Sequence, residues 1–282
     1  MTEYECSMPM TLIRMQVLFL ALTGLGSTLT TARAEDSASA WATGSKSAAR
    51  LIAAPADAQS AYRAGIEIKL APNTITYWRS PGESGVPPVF EFSHSSNLRS
   101  VDVSFPAPKR INEDGSDIYG YDTDVVLPIR VEPQERGKPV DLVLNLDYAA
   151  CEKICLPVRA KLELSLPAKD AGSAATLAAA EAAVPRRLSQ TEIARDVIIA
   201  PVPGADKPTW RLIWGGGPAQ DLFAEAPDLF FIETKRAGEG FLVAVADHPK
   251  DMAVPDQPVR FTITGPESVD FALHLDGRAA TP

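Results

Sequence analysis

Leu142, Leu144, Leu146 and Tyr148 alternate with Asp141, Val143, Asn145 and Asp147. After a short break, Val158, Ala160, Leu162, Leu164 and Leu166 alternate with Arg159, Lys161, Glu163 and Ser165. A strand turns successive side chains to opposite sides, so two period-two runs around a brief connection define a β-hairpin with one buried face. The connection is Tyr148-Ala-Ala-Cys151-Glu-Lys-Ile-Cys155-Leu-Pro157. Two cysteines therefore stand at the tip of a hairpin.

A disulfide needs its Cα atoms roughly 4.4–6.8 Å apart, whereas four residues of straight strand span about 13 Å. The chain between Cys151 and Cys155 must bend if the pair closes. So short a loop stabilises a fold less than a long-range staple does, and a bridge held between two strand ends is more easily reduced. The pair reads first as a redox site and second as a staple. A third reading is copper, because two thiolates in a C-x3-C spacing suit soft Cu(I). His94, His248 and His274 lie in separate segments, and only His94 shares the cysteine-bearing half.

The N-terminus has the pattern of a secretory signal peptide over residues 1–34: Arg14, an apolar run from Met15 to Leu22, and an Ala32-Arg-Ala34 cleavage site. Glu3 and Glu5 give the extreme N-terminus the wrong charge for such a segment, which suggests a start at Met8 or Met10. Cys6 falls within the portion removed. The apolar run is shorter than the roughly 18–20 residues a membrane-spanning helix needs, so an exported, periplasmic product that does not span the membrane is expected. A net charge of −9 without a basic stripe argues against nucleic acid as a partner. One cysteine pair in so long a chain is not a disulfide scaffold, since the chain buries a core without staples.

Twenty-four prolines among 282 residues, many at the ends of short alternating segments, favour an antiparallel all-β architecture. Residues 35–59 read as a flexible leader with a helical turn around Ser47 to Ala53. Residues 60–167 read as a cysteine-bearing β-sandwich, starting at a strand over Tyr62 to Leu70 and including a long polar loop from Ile111 to Tyr121. Residues 168–192 form an Ala-rich linker with a short helix over Ala174 to Ala183, capped by Ser173. Residues 193–282 read as a second, cysteine-free β-sandwich with six strands: 196–201, 209–214, 229–233, 240–246, 259–264 and 269–275. The expected whole is two tandem immunoglobulin-like antiparallel β-sandwiches. Gly215-Gly-Gly-Pro218 lacks the lysine and following helix of a phosphate loop and reads as a turn. Asp117, Asp122 and Asp124 do not have the spacing of a calcium loop.

Three stretches carry a resemblance: Tyr77-Trp-Arg-Ser-Pro-Gly-Glu-Ser-Gly-Val-Pro-Pro88, Gly120-Tyr-Asp-Thr-Asp-Val-Val-Leu-Pro128 and Leu146 to Pro157. Over about Tyr62 to Leu166 the chain resembles the N-terminal periplasmic domain of the DsbD family of thiol:disulfide interchange proteins, in its two-domain, ScsB-like form. The resemblance implies an immunoglobulin-like fold and protein-disulfide reductase chemistry at Cys151 and Cys155, with no bound cofactor. It implies that Cys155 forms the mixed disulfide and Cys151 resolves it. It also implies a cap loop over the pair at about Asn112 to Tyr119, with Asp117, Tyr119 and Tyr121 as cap or shield candidates. Tyr77 and Trp78 are weaker shield candidates, since a mid-strand aromatic such as Trp78 more often packs in a core. The implied partners are a thioredoxin-like domain or a membrane thiol electron conductor acting in trans, and periplasmic substrate proteins.

Overall fold

The computed structural model describes residues 1, 37–55, 61–113, 115–168 and 171–276. Residues 1–34 and 35–282 form separate units, and the account that follows concerns the second. The expected signal peptide, Met1 apart, lies outside the described residues.

The first half runs β1 (Ala42–Thr43), β2 (Ser47–Ala53), β3 (Tyr62–Leu70), β4 (Thr76–Gly82), β5 (Val89–Glu91), β6 (Leu98–Val103), β7 (Lys109–Glu113), β8 (Ser116–Tyr121), β9 (Val125–Pro133), β10 (Val140–Cys151) and β11 (Cys155–Leu166). They form three sheets, ordered β1-β2-β3-β9-β6, β11-β10-β5 and β4-β8-β7. Alternation decides what is buried. Ala64, Ile66 and Ile68 of β3, Leu127, Ile129 and Val131 of β9, and Leu142, Leu144 and Leu146 of β10 meet in one core cluster.

Residues 35–59 are not a leader throughout. Strand β2 lies antiparallel on β3 from Ser47 opposite Leu70 to Ala53 opposite Ala64. Its Ala49, Leu51 and Ala53 are fully buried, and Ser47 shares a buried 2.8 Å hydrogen bond with Tyr148 of the cysteine hairpin. Alanines at the inward positions gave the segment too little hydrophobic contrast to read as a strand. The expected loop from Ile111 to Tyr121 is likewise a hairpin, β7–β8, with Ile111 opposite Ile118.

Helix α1 (Ala174–Ala182) follows, with Ser173 at its N-cap but no side-chain cap bond. The second half contains β12 (Arg186–Arg187), α2 (Gln190–Asp196), β13 (Val197–Pro201), β14 (Thr209–Trp214), β15 (Asp221–Glu225), β16 (Phe231–Ala237), β17 (Gly240–Asp247), β18 (Val259–Thr264) and β19 (Val269–Leu273). Two four-stranded sheets, β12-β19-β18-β15 and β13-β14-β17-β16, enclose a second core around Leu212, Phe241, Val243, Phe261 and Phe271. The architecture is all-β and immunoglobulin-like, with sheets packed around a core in each half that are antiparallel except where β12 joins β19 in parallel.

The halves are joined by more than their connecting segment. Phe223 of β15 is fully buried in the first core, edge-on to Trp78 at 5.9 Å and to Tyr119 at 4.9 Å. Arg79 donates to both carboxylate oxygens of Glu225 at 2.8 and 2.7 Å.

Candidate functional site

Strands β10 and β11 pair without interruption from Val140 opposite Leu166 to Cys151 opposite Cys155. Even-numbered residues of β10 fill the main core, so Ala149 and Cys151 face the other way. Directly opposite residues share a face. Both sulfurs therefore lie on the hairpin's outer surface, joined as a disulfide with Cα atoms 4.0 Å apart.

Farther from the tip that outer surface is solvated, as the exposed Asp147–Arg159 pair at 3.4 Å demonstrates. At the tip it is covered. Ile75 and Tyr77 from β4 and its approach, with Ile118 from β8, form a small apolar cluster with Ala149 and Cys151, and Ile111 of β7 packs at its margin. The backbone fixes this cover in place: the Ile75 N–H donates to the Cys151 carbonyl at 2.8 Å and the Cys151 N–H to the Ile75 carbonyl at 3.0 Å. Thr76 Oγ1 adds a bond to the Ala149 carbonyl at 2.9 Å.

The two cysteines are thereby made unequal. Cys151 is 2 % exposed, while Cys155, one rung across, is open to solvent. Beside it Ile154 is 70 % exposed. Tyr77 Oη stands 3.1 Å from Cys155 Sγ and 3.3 Å from Cys151 Sγ. A disulfide sulfur carries no proton, so the phenol is the donor and shares one hydrogen between two acceptors. Burial, and after it the negative charge of Glu113, raise the Tyr77 phenol above its ordinary 10.0, which keeps it protonated at neutral pH. The loop after β4 crosses the same ring so closely that a Cβ on Gly85 would lie 2.9 Å from Tyr77 Cδ1 and 2.3 Å from Pro81 Cβ. Only glycine fits there. Between the cysteines, Glu152 pairs with Lys46 at 2.7 Å, and the hydrogen bond from Lys46 holds its carboxyl below the usual range.

The segment expected to cap the pair, Asn112 to Tyr119, does lie beside it, yet the named shield residues point elsewhere. Along β8, Ile118 faces the cysteines, and its neighbours Asp117 and Tyr119 necessarily face away. Asp117 accepts from Arg110 Nη1 and from Asn112 Nδ2, each at 3.1 Å. Tyr119 packs on Phe223, and its hydroxyl accepts from Arg110 at 3.2 Å. Tyr121 is buried in the main core and donates to the Pro106 carbonyl at 2.8 Å. A segment taken as a loop has no parity; once it is a strand, parity selects Ile118. The side chains over the sulfurs are Tyr77 and Ile118.

Residues 46–167 match the family model for the N-terminal region of the thiol:disulfide interchange protein DsbD. These residues are a DsbD N-terminal-like domain. The crystal structure of the N-terminal periplasmic domain of ScsB from Proteus mirabilis is similar across 86 % of this chain and 100 % of that one, with a TM-score of 0.66 and 21 % identity. At that identity the likeness establishes the fold, and it takes in both halves of the molecule. The Neisseria meningitidis DsbD N-terminal domain in its reduced form is matched at 17 % identity over 42 % of this chain and 84 % of that one, with a TM-score of 0.26. No curated protein matches the chain.

Among the described residues, no group of three or more His, Cys, Asp and Glu side chains is placed to hold a metal ion. No described helix is long and apolar enough to cross a membrane.

Proposed function

We propose that the DsbD N-terminal-like domain is a periplasmic thiol–disulfide interchange module that relays electron pairs through Cys155 and Cys151. One observation carries this reading: within a single cross-strand pair, Cys155 is exposed and Cys151 is buried, with one tyrosine hydroxyl within reach of both sulfurs. Exchange proceeds by attack of a thiolate on a disulfide sulfur along an accessible approach. Cys155 offers that approach and Cys151 does not.

In the reducing direction, the Cys155 thiolate attacks a disulfide of a periplasmic substrate protein. A mixed disulfide forms and one substrate thiolate leaves. Cys151 then attacks Cys155 Sγ, closing the intramolecular bond and releasing the second substrate thiol. Two electrons and two protons pass to the substrate. Recharging runs in reverse, with a thiolate of a thioredoxin-like domain or membrane thiol conductor attacking Cys155 Sγ and expelling Cys151. The relay's electron carrier is the cysteine pair itself.

The test is the reduction potential, read by equilibrating the protein in graded thiol buffers and counting free thiols by alkylation mass shift. Structural disulfides of secreted proteins lie below about −300 mV, and the expected value lies above that. With Cys151→Ala, a thioredoxin-like partner is trapped on Cys155; with Cys155→Ser it is not. A pair that stays closed throughout, or a reduced protein that binds Cu(I) tightly and stoichiometrically without exchanging, would overturn the proposal.

A further inference from the structure

The β7–β8 hairpin has two faces with different occupants. Ile111 and Ile118 reach the cysteine cluster. Arg110 and Tyr119, their neighbours in sequence, reach the second half of the molecule. Arg110 Nε and Nη2 grip both carboxylate oxygens of Asp221 at 2.8 and 3.0 Å. Nη2 also donates to the Leu222 carbonyl at 3.0 Å and to Thr234 Oγ1 at 2.9 Å. Within the hairpin, Nη1 bonds Asp117 and Tyr119. The guanidinium lies 5.0 Å from the Tyr119 ring centre and 5.4 Å from that of Phe223. A planar fork engaged on both prongs fixes orientation as well as distance.

We propose that the second half of the molecule clamps the β7–β8 hairpin down on Cys151, and that Arg110 is the positioning residue through which the clamp acts. The inference rests on the exchange chemistry proposed above and assigns that chemistry a brake. When a thiolate attacks Cys155 Sγ, a new S–S bond forms there, the old one breaks, and the electron pair leaves on Cys151 Sγ. A second thiol of the reductant then resolves the mixed disulfide, so that two thiols become one disulfide while the cysteine pair gains two electrons and two protons. With the hairpin seated, the leaving thiolate appears in an apolar enclosure with the Tyr77 hydroxyl as its donor, and burial disfavours the charged form. Raising Ile111 and Ile118 admits water to that sulfur and opens it to direct attack.

The experiment measures the second-order rate constant for reduction of the oxidised full-length protein by dithiothreitol, using quenched alkylation and mass spectrometry. Arg110→Gln is expected to raise the constant about tenfold, equivalent to about 1.4 kcal/mol of lost hold. Asp221→Asn, on the far side of the contact, is expected to do the same. The double variant should be no faster than either single one, because both changes release one clamp. Arg110→Lys keeps the charge without the fork and should fall between. The Arg79–Glu225 pair and the packing of Phe223 on Trp78 involve neither Arg110 nor Asp221, and circular dichroism checks that each variant is folded. Unchanged rates in folded Arg110→Gln and Asp221→Asn proteins would overturn the clamp, as would strictly additive effects. Neither result bears on interchange, which stands or falls on the wild-type potential.

Discussion

Replacing Tyr77 by phenylalanine removes one hydroxyl and leaves the ring where Gly85 and Ile118 enclose it. In the resting disulfide the phenol donates to two weak sulfur acceptors at 3.1 and 3.3 Å. A neutral hydrogen bond contributes about 0.5–1.5 kcal/mol net, and so weak a pair of acceptors belongs at the lower end. As a thiolate closes on Cys155 Sγ, negative charge gathers on Cys151 Sγ, and the same hydroxyl then donates to a developing anion, an interaction contributing about 1.5–3 kcal/mol. The transition state therefore gains roughly 1–2 kcal/mol over the ground state, and about 1.4 kcal/mol corresponds to a factor of ten in rate. Reduction of Tyr77→Phe by dithiothreitol is expected to run about tenfold slower than wild type, with thermal unfolding little changed. The assay is the quenched-alkylation time course under excess reductant. A rate within twofold of wild type would refute the argument, because the hydroxyl would then serve neither state preferentially. A faster rate would mean that the phenol acts only as a cover.

Two further outcomes follow from the packing. Phe223 is fully buried between the cores, so Phe223→Ala should cost about 3–5 kcal/mol of stability, the range for truncating a buried aromatic; a urea midpoint that barely moves would show that the halves do not depend on it. Burial raises the phenols of Tyr77, Tyr119, Tyr121 and Tyr148 above their ordinary 10.0. A raised folded value means stability that is fully present below pH 10 and is lost as pH climbs through the folded values. Urea midpoints should therefore hold steady from pH 7 to about 9 and fall above 10, with tyrosinate absorbance rising together with loss of β-sheet circular dichroism. Ionisation of those four phenols in a still-folded protein would contradict this.

The cysteine hairpin was legible in the sequence because its outer face is polar for most of its length. Asp141, Asn145 and Asp147 against Leu142, Leu144 and Leu146 leave no second interpretation. Strand β15 was missed for the opposite reason. It alternates too, but Phe223 enters the first core while Leu222 and Ala224 enter the second, so both faces are apolar and period two disappears. Helix α2 is short, yet its signal was present: Ser189 accepts from the Glu192 N–H while Glu192 returns to the Ser189 N–H, a capping box readable as Ser189-x-x-Glu192. Spacing marks the pair of cysteines; the tyrosine beside them is among the shield candidates the sequence offers, but ranked below Tyr119. Tyr77 and Tyr119 look alike in a linear reading, and only the long-range pairing of Ile75 with Cys151 brings one of them to the sulfurs.

The two-faced β7–β8 hairpin makes segment length a stricter requirement than side-chain identity. Ile118→Val leaves an aliphatic group over Cys151 and leaves Arg110 in its grip. A single residue inserted within β8 shifts the register by one and exchanges the faces. Tyr119 would then be delivered to the disulfide and Ile118 to the Phe223 ring and Arg110 guanidinium that Tyr119 meets now, so that one codon gained or lost would place an ill-matched side chain in each of the hairpin's two contacts. Between Arg110 and Tyr121, substitutions are therefore tolerated far more readily than insertions or deletions.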